Sequence, residues 1–531
     1  MKKLLSILFC SALCLSAAAE VNYRVIPLPQ QIDIDASGNY AVLSEGMTVS
    51  YPADNALMKR NAEFAAEYFG LAAKPADKKK PAEVCLTLGL KSDNPDAYTI
   101  TVGKKGIIIQ GAAESGVFYG IQTLRKSTMN EEGEVRLPYA TVSGSPRFGY
   151  RGTELDCARH FFPTSFIKKF IDILALHGIN RFHWHLTDDQ GWRFEVKSMP
   201  ELAQKASVRR NTVIGNNLYV KDPALTLFDD TPETGFYTQE EMREVVRYAA
   251  ERYITIVPEI DLPGHMVAAL SVYPELGCTG GPYEVWSIWG VSDDVLCAGN
   301  PKTLDFLKKV YGELCDIFPG ELIHIGGDES PRTRWKSCPK CQAKMKELGL
   351  TKEAQLQTYI NKEMEAFLNK LGRQIIGWDE TLEGGLSEGA AVMSWRGYEG
   401  GQAAAKLHHK VVMTPTANCY FDYYQLKSAR AQPLGIGGYL PLSKVYSMEP
   451  VPAELTEEEA AYIMGAQCNL WTEYVVSPDH AEFMLLPRLA AMSEVQWLQP
   501  GEKDYEQFLT RLDALQQIYR KLGYKYCPTH E

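Results

Sequence analysis

Chemistry-bearing residues in this chain gather in short polar segments that follow apolar ones. Asp328-Glu329 closes the run His324-Ile325-Gly326-Gly327. In the same relation to other apolar runs stand Asp156 and Arg159; His185, Asp188 and Asp189; Glu259, Asp261 and His265; Trp378, Asp379 and Glu380; Trp395; Tyr420 and Asp422; Trp471 and Glu473. Indole faces stack on the C–H faces of sugar rings, while carboxylates and Arg hydrogen-bond hydroxyls, so the set reads as a carbohydrate site. Any single Trp is as readily a core residue. Three at the ends of separate segments are harder to assign to packing.

The Asp-Glu pair calls for its own account. A two-carboxylate retaining glycosidase sets its carboxyls about 5–5.5 Å apart across the scissile bond, and neighbours in sequence cannot easily flank a bond from both faces. They can divide the work differently: one protonates the leaving oxygen, and the other orients a nucleophile that belongs to the substrate.

The elements that must position these residues alternate strand, polar loop and helix. Strand-like runs are Tyr150 to Leu155, Arg181 to Leu186, Tyr253 to Glu259, Leu322 to Gly326, Ile375 to Trp378, Ala391 to Trp395, Val411 to Pro415 and Gly465 to Leu470. Helical spacing fills most intervals: a helix with Phe166, Phe170 and Leu174 on its apolar face that stops at Gly178, then Glu240 to Arg252, Leu304 to Phe318, Ala354 to Leu371, and a closing helix from Glu482 to Glu494. The count predicts an α/β fold, a (β/α)8 TIM barrel over 146–531 with C-terminal closing helices, whose active site lies at the carboxyl ends of the strands. A doubly wound open sheet is the alternative, and no Gly-rich phosphate loop follows any strand to support it. Before the barrel, 20–145 reads as a small α+β domain with one helix-like stretch, Asn55 to Phe69, and strands at Val84 to Leu88, Tyr98 to Val102 and Ile107 to Ile109. Pro138 and Ser143-Gly144-Ser145-Pro146 set its boundary near residue 145.

Residues 1–19 read as an export signal: Lys2 and Lys3, an apolar stretch to Leu15, then Ala17-Ala18-Ala19. A periplasmic or extracellular protein is expected. Cys10 and Cys14 lack the preceding small residue that lipid attachment favours. A net charge of −11 over 531 residues, with no basic tract longer than Lys78 to Lys80, excludes a nucleic-acid surface. No later apolar stretch approaches the roughly 20 residues of a membrane span. Twelve cysteines are too few for a disulfide-built scaffold, but one or two bridges are expected, with Cys278 and Cys297 placed to close the loop between them. Cys338-Pro339-Lys340-Cys341 is half of a zinc motif. The sequence holds no second CxxC or HxxxH to complete it, so a local disulfide or two free thiols is the expectation there.

Several segments together are specific. His324 to Glu329, Arg151-Gly152 with Leu155-Asp156, Ala158 to Phe162, His185 to Arg193, Pro258 to His265, Gly377 to Glu380, Ser394 to Gly397, Trp471 to Glu473, and Pro487-Arg488 with Glu494 and Trp497 resemble the family 20 glycoside hydrolases, the β-N-acetylhexosaminidases, in the family's order from about residue 23 to 498. The resemblance implies an exo-acting, retaining, substrate-assisted enzyme with no cofactor and no metal, acting on N-acetylhexosamine-terminated oligosaccharides or glycoconjugates. In it Glu329 is the general acid and then the base, and Asp328 holds the acetamido N–H. Tyr420 binds the acetamido oxygen, and Trp378, Trp395 and Trp471 wall the pocket. Arg159 and Glu473 bind ring hydroxyls, with Asp422 near the 6-hydroxyl, while Asp188 and His265 support Glu329. An apolar wall and the Asp328 charge would both raise the pKa of Glu329.

The stretch from Gln425 to Glu449 holds Tyr439 and Tyr446 but no clear counterpart of a further sugar-contacting aromatic. Trp286 and Trp289 are open to two readings, contact with a second sugar or loop packing. Two other function classes compete. A metal-dependent barrel hydrolase would use His183, His185, His265, His324 and Asp328; a non-catalytic glycan-binding barrel would keep the aromatics alone. GlcNAc against GalNAc, the aglycone and the oligomeric state stay open.

Overall fold

The structure, a computed structural model, describes residues 21–129, 135–217 and 226–529. Residues 1–19, expected from the sequence to be an export signal and including Cys10 and Cys14, lie outside them. The chain divides into two units, Gln31–Gly144 with the described residues up to Arg24, and Ser145–Glu531 with Val25–Gln30. Val25–Gln30 groups with the second unit: the Leu28 amide donates to Glu494 at 3.0 Å, and Gln30 accepts from the Ser145 amide at 2.7 Å.

The first unit carries a seven-stranded mixed sheet, in spatial order Gln31–Ile34, Ala140–Gly144, Tyr98–Gly103, Gly106–Gly111, Val84–Leu88, Thr48–Tyr51 and Ala72–Pro75. Two helices, not one, pack on it. Ala56–Phe69 starts where the Asn55 side chain accepts the Met58 amide, and ends on Gly70 in the left-handed region. The second helix, Glu114–Thr128, escapes sequence reading because Gly116 and Gly120 lower its helix propensity. Both glycines are there for contact: a Cβ on Gly116 would lie 2.2 Å from the Ala97 carbonyl oxygen, and one on Gly120 2.6 Å from Ile109.

The second unit is a closed barrel of eight parallel strands: Tyr150–Asp156, Arg181–His185, Thr255–Glu259, Leu322–His324, Gln374–Trp378, Ala391–Ser394, Val411–Met413 and Ile463–Cys468. Alternation along the second strand shows how the wall is built. Phe182 and Trp184 pack on Phe170 and Tyr237, with ring centroids 5.3 and 4.7 Å apart, while His183 and His185 both reach Glu259 Oε2, at 2.9 and 2.6 Å. The expected closing helix is two, Pro478–Leu485 and Arg488–Trp497, because Pro487 lacks the N–H that a continuous helix would need there. A last helix, Tyr505–Leu522, is anchored by an Arg511–Glu494 ion pair. No helix among the described residues is long and apolar enough to cross a membrane.

Candidate active site

The fourth strand ends in a turn packed so closely that only glycine fits. Gly326 sits at φ 63°, where a Cβ would fall 2.0 Å from Asp261 Oδ1, and the next amide, Gly327 N–H, donates to that same oxygen at 2.9 Å. This turn delivers Asp328 and Glu329 to the carboxyl end of the barrel. Glu329 itself has φ 41° and His265 φ 50°. Non-glycine residues in that region carry strain that marks functional sites.

Behind Glu329 runs a buried charge relay. His265 Nε2 lies 3.7 Å from Glu329 Oε2 and 3.9 Å from Asp328 Oδ2, and its Nδ1 lies 3.0 Å from Asp188 Oδ1. The other oxygen of Asp188 takes Arg159 at 2.9 Å and His185 Nε2 at 3.0 Å, and His185 continues to Glu259. Glu259 in turn accepts from Trp378 Nε1 at 3.0 Å. Burial opposes every charge here, and opposite neighbours overcome it. Asp188, beside Arg159 and His265, is held well below the usual carboxylate range, and His265, between Asp188 and Asp189, well above the usual imidazole range.

This geometry reverses the expectation for Glu329. Its side chain is 42% exposed, and the His265 imidazolium beside it lowers its pKa instead of an apolar wall raising it. The raised carboxyls are its neighbours. Burial pushes Asp328 up, and pushes Asp261 up further with the Asp328 charge beside it. Burial and Asp328 push Glu380 to about 8.

The aromatic residues form one continuous wall. Trp378, fully buried, is 5.8 Å from Trp471; Trp471 is 6.4 Å from Tyr420; Tyr420 stacks on Trp395 at 6.0 Å. Trp395 and Trp471 are only partly buried, and Trp395 Nε1 is fixed by Glu380 at 2.8 Å. Arg159 lies over Trp471 at 5.2 Å and 3.9 Å from Glu473. Asp328 Oδ1, Asp422 Oδ1 and Glu473 Oε2 are buried acceptors with no hydrogen-bond partner among the described residues. Unsatisfied acceptors of this kind are costly unless a ligand's donors meet them.

All eleven sequence-derived site residues thus stand at the carboxyl-end mouth of the barrel. Asp156, His185, Asp189, Glu259, Asp261 and Glu380 were recognisable as strand-end residues, but their parts in the relay depend on partners in other strands. The imidazoles divide into two sets. His183 and His324 converge on Glu259 and His265 turns to Asp188, so they do not form the single ligand set of the metal reading. Trp289 is a packing residue, 5% exposed and 6.2 Å from Tyr474. Trp286 stays partly exposed, its amide donating to Asp189 O at 3.0 Å. Tyr446 is buried against Glu494, while Tyr439 is 40% exposed.

A parallel eight-stranded barrel with an adjacent Asp and Glu, an aromatic wall and unpaired acceptors at one mouth has the build of the barrel glycoside hydrolases. Residues 148–500 match the profile of "Glycosyl hydrolase family 20, catalytic domain", and 22–143 that of "Glycosyl hydrolase family 20, domain 2". The chain belongs to glycosyl hydrolase family 20. It is 43% identical over 446 residues to a beta-hexosaminidase of Porphyromonas gingivalis, covering 82% of this chain and 55% of that one, so it spans little more than half of that relative's length. With a beta-hexosaminidase of Akkermansia muciniphila it shares 33% identity over 476 residues, 87% of this chain and 93% of the other. A family 20 exo β-N-acetylglucosaminidase from Vibrio harveyi, solved in complex with N-acetylglucosamine, superposes with a TM-score of 0.82 at 31% identity, over 96% of this chain and 79% of that one.

Proposed function

We propose that this protein is an exo-acting, retaining β-N-acetylhexosaminidase that removes terminal non-reducing β-linked GlcNAc or GalNAc from glycans through an oxazolinium intermediate. The observation that carries the reading is the adjacency of Asp328 and Glu329 beside a wall of Trp378, Trp395, Trp471 and Tyr420, with three buried carboxylate oxygens unpaired. Glu329, the more exposed of the pair, protonates the glycosidic oxygen as the acetamido carbonyl attacks the anomeric carbon. Asp328 accepts the acetamido N–H and stabilises the positive charge that develops there, and Asp261 keeps Asp328 oriented by sharing a proton with it. Tyr420 donates to the acetamido oxygen, and the indoles enclose the methyl group. Arg159, Glu473 and Asp422 take the ring hydroxyls. Covering Glu329 with the sugar raises its proton affinity from the depressed value of the open site toward what a general acid requires. The names of the family 20 relatives and the N-acetylglucosamine complex support the same substrate class.

Two measurements test this reading. Glu329→Gln should lower kcat by about 10²–10⁴ on a poor leaving group, and far less on an activated aryl glycoside, where protonation matters least. Replacing the substrate's acetyl by trifluoroacetyl weakens the internal nucleophile and should slow the wild type. A near-wild-type rate for Glu329→Gln on the poor leaving group, or indifference to the fluorines, overturns the mechanism. Residues 1–19 are read as the export signal, and a mature amino terminus near residue 20 on the secreted protein checks it.

A further inference from the structure

The four cysteines that looked like two unrelated features in sequence meet at one point. Cys278, Cys297, Cys338 and Cys341 place their Sγ atoms within 4.8 Å of one another. Cys278 and Cys341 are 3.8 Å apart, Cys297 and Cys338 3.7 Å, and Cys297 and Cys341 3.6 Å. A tetrahedron of thiolates around zinc, with metal–sulfur bonds of 2.3 Å, has edges of roughly 3.8 Å. A disulfide would bring one pair to about 2.05 Å and leave the other sulfurs without that common spacing.

The backbone around the sulfurs is built for this meeting. An antiparallel bridge between Gly277 and Leu296 sets Cys278 beside Cys297, and the Cys297 amide donates to Leu276 O at 2.7 Å. Cys338 caps the helix Pro339–Leu348, which puts Cys341 in its first turn. Gly299 lies directly on that turn: a Cβ there would fall 2.1 Å from the Lys340 carbonyl carbon and 2.5 Å from the Cys341 amide nitrogen. Three of the four cysteines are buried and Cys278 is partly exposed, which leaves an entry side.

We propose that these four cysteines hold a structural zinc ion. All four positions of the tetrahedron are protein thiolates, so the ion is closed to substrate and its work is to hold the fold. It clamps the loop Cys278–Cys297 to the segment that follows Glu329. That loop reaches the sugar site, since Ile288 O accepts from Gln190 at 2.9 Å and Gln190 accepts from Arg159 at 3.1 Å. On the other side Trp335 donates to Leu296 O at 2.9 Å.

Elemental analysis of the full chain, purified without chelator, should find about one zinc per chain. Cys297→Ser should lose most of it, while Cys85→Ser, a cysteine outside the cluster, should retain it. Gly299→Ala, which removes no ligand, should also lower the zinc content. Replacement by Co2+ should give the intense visible bands of a tetrahedral tetrathiolate site, and Cys297→Ser should lack them. A mass deficit showing that these cysteines are paired as disulfides overturns the proposal. So do four titratable thiols with no zinc retained after Zn2+ is supplied under reducing conditions, or iron found in place of zinc.

Discussion

His265→Gln separates an electrostatic role for this residue from a merely structural one. In the wild type its imidazolium stands 3.7 Å from Glu329 Oε2 and 3.9 Å from Asp328 Oδ2. At 3.7 Å the attraction between unit charges runs from about 1 kcal/mol in bulk water to about 4.5 kcal/mol at an effective dielectric of 20. Glu329 is 42% exposed, which places the pair toward the watery end, at roughly 1–2 kcal/mol. Removing the cation withdraws that preference for the carboxylate, so at fixed pH the ratio of protonated to ionised Glu329 rises by roughly 5- to 30-fold. The general acid must hold its proton in the free enzyme, so the basic limb of kcat/KM moves to higher pH. Asp328 loses the same cation and must be ionised to accept the acetamido N–H, so the acidic limb moves the same way. The pH–rate profile of His265→Gln against wild type, on a substrate with a poor leaving group, reads both limbs. At the plateau the variant is slower, since the Asp188 contact that positions the acid is gone. Plateau loss with unmoved limbs, or limbs displaced to lower pH, refutes the electrostatic reasoning.

Gly326→Ala should behave as a catalytic lesion at a distance. Its Cβ would meet Asp261 Oδ1 at 2.0 Å in a left-handed backbone, a strain of about 1–3 kcal/mol, and relief displaces Asp261 or the turn carrying Asp328 and Glu329. A fall in kcat larger than any rise in KM checks this. Glu259→Gln should destabilise the barrel by about 3–5 kcal/mol near neutral pH, because three imidazoles and Trp378 Nε1 converge on that buried carboxylate. Its folded pKa is depressed, so its contribution is present above the unfolded value of about 4.3 and is lost as pH falls through the folded one. Denaturation midpoints of variant and wild type should therefore converge on strong acidification and stay apart at pH 7.

Much of this protein is legible in one dimension, where the physics is local. Apolar runs with period two or near four, bounded by Gly and Pro, mark the eight barrel strands to within a residue or two, and Asn55 marks a helix start by its own side chain. Residues just past those strand ends assemble into a site for a topological reason: a parallel barrel brings the carboxyl ends of all its strands to one mouth. Local signals failed where contact overrode propensity. The helix Glu114–Thr128 tolerates Gly116 and Gly120 because the sheet needs the space, and no window of sequence contains that sheet.

Two outcomes depended on tertiary structure alone. The direction of the Glu329 shift follows from His265, 64 positions earlier in the chain, and from the solvent that reaches the carboxylate. Residue types can name a candidate acid, but a pKa records distance and burial. The cysteine cluster is the same lesson in geometry. A Cys-x-x-Cys half-site and two cysteines some 40 to 60 positions upstream share no sequence spacing rule, and only the crossing of two strand-end loops, permitted by Gly299, brings four sulfurs within 4.8 Å of one another.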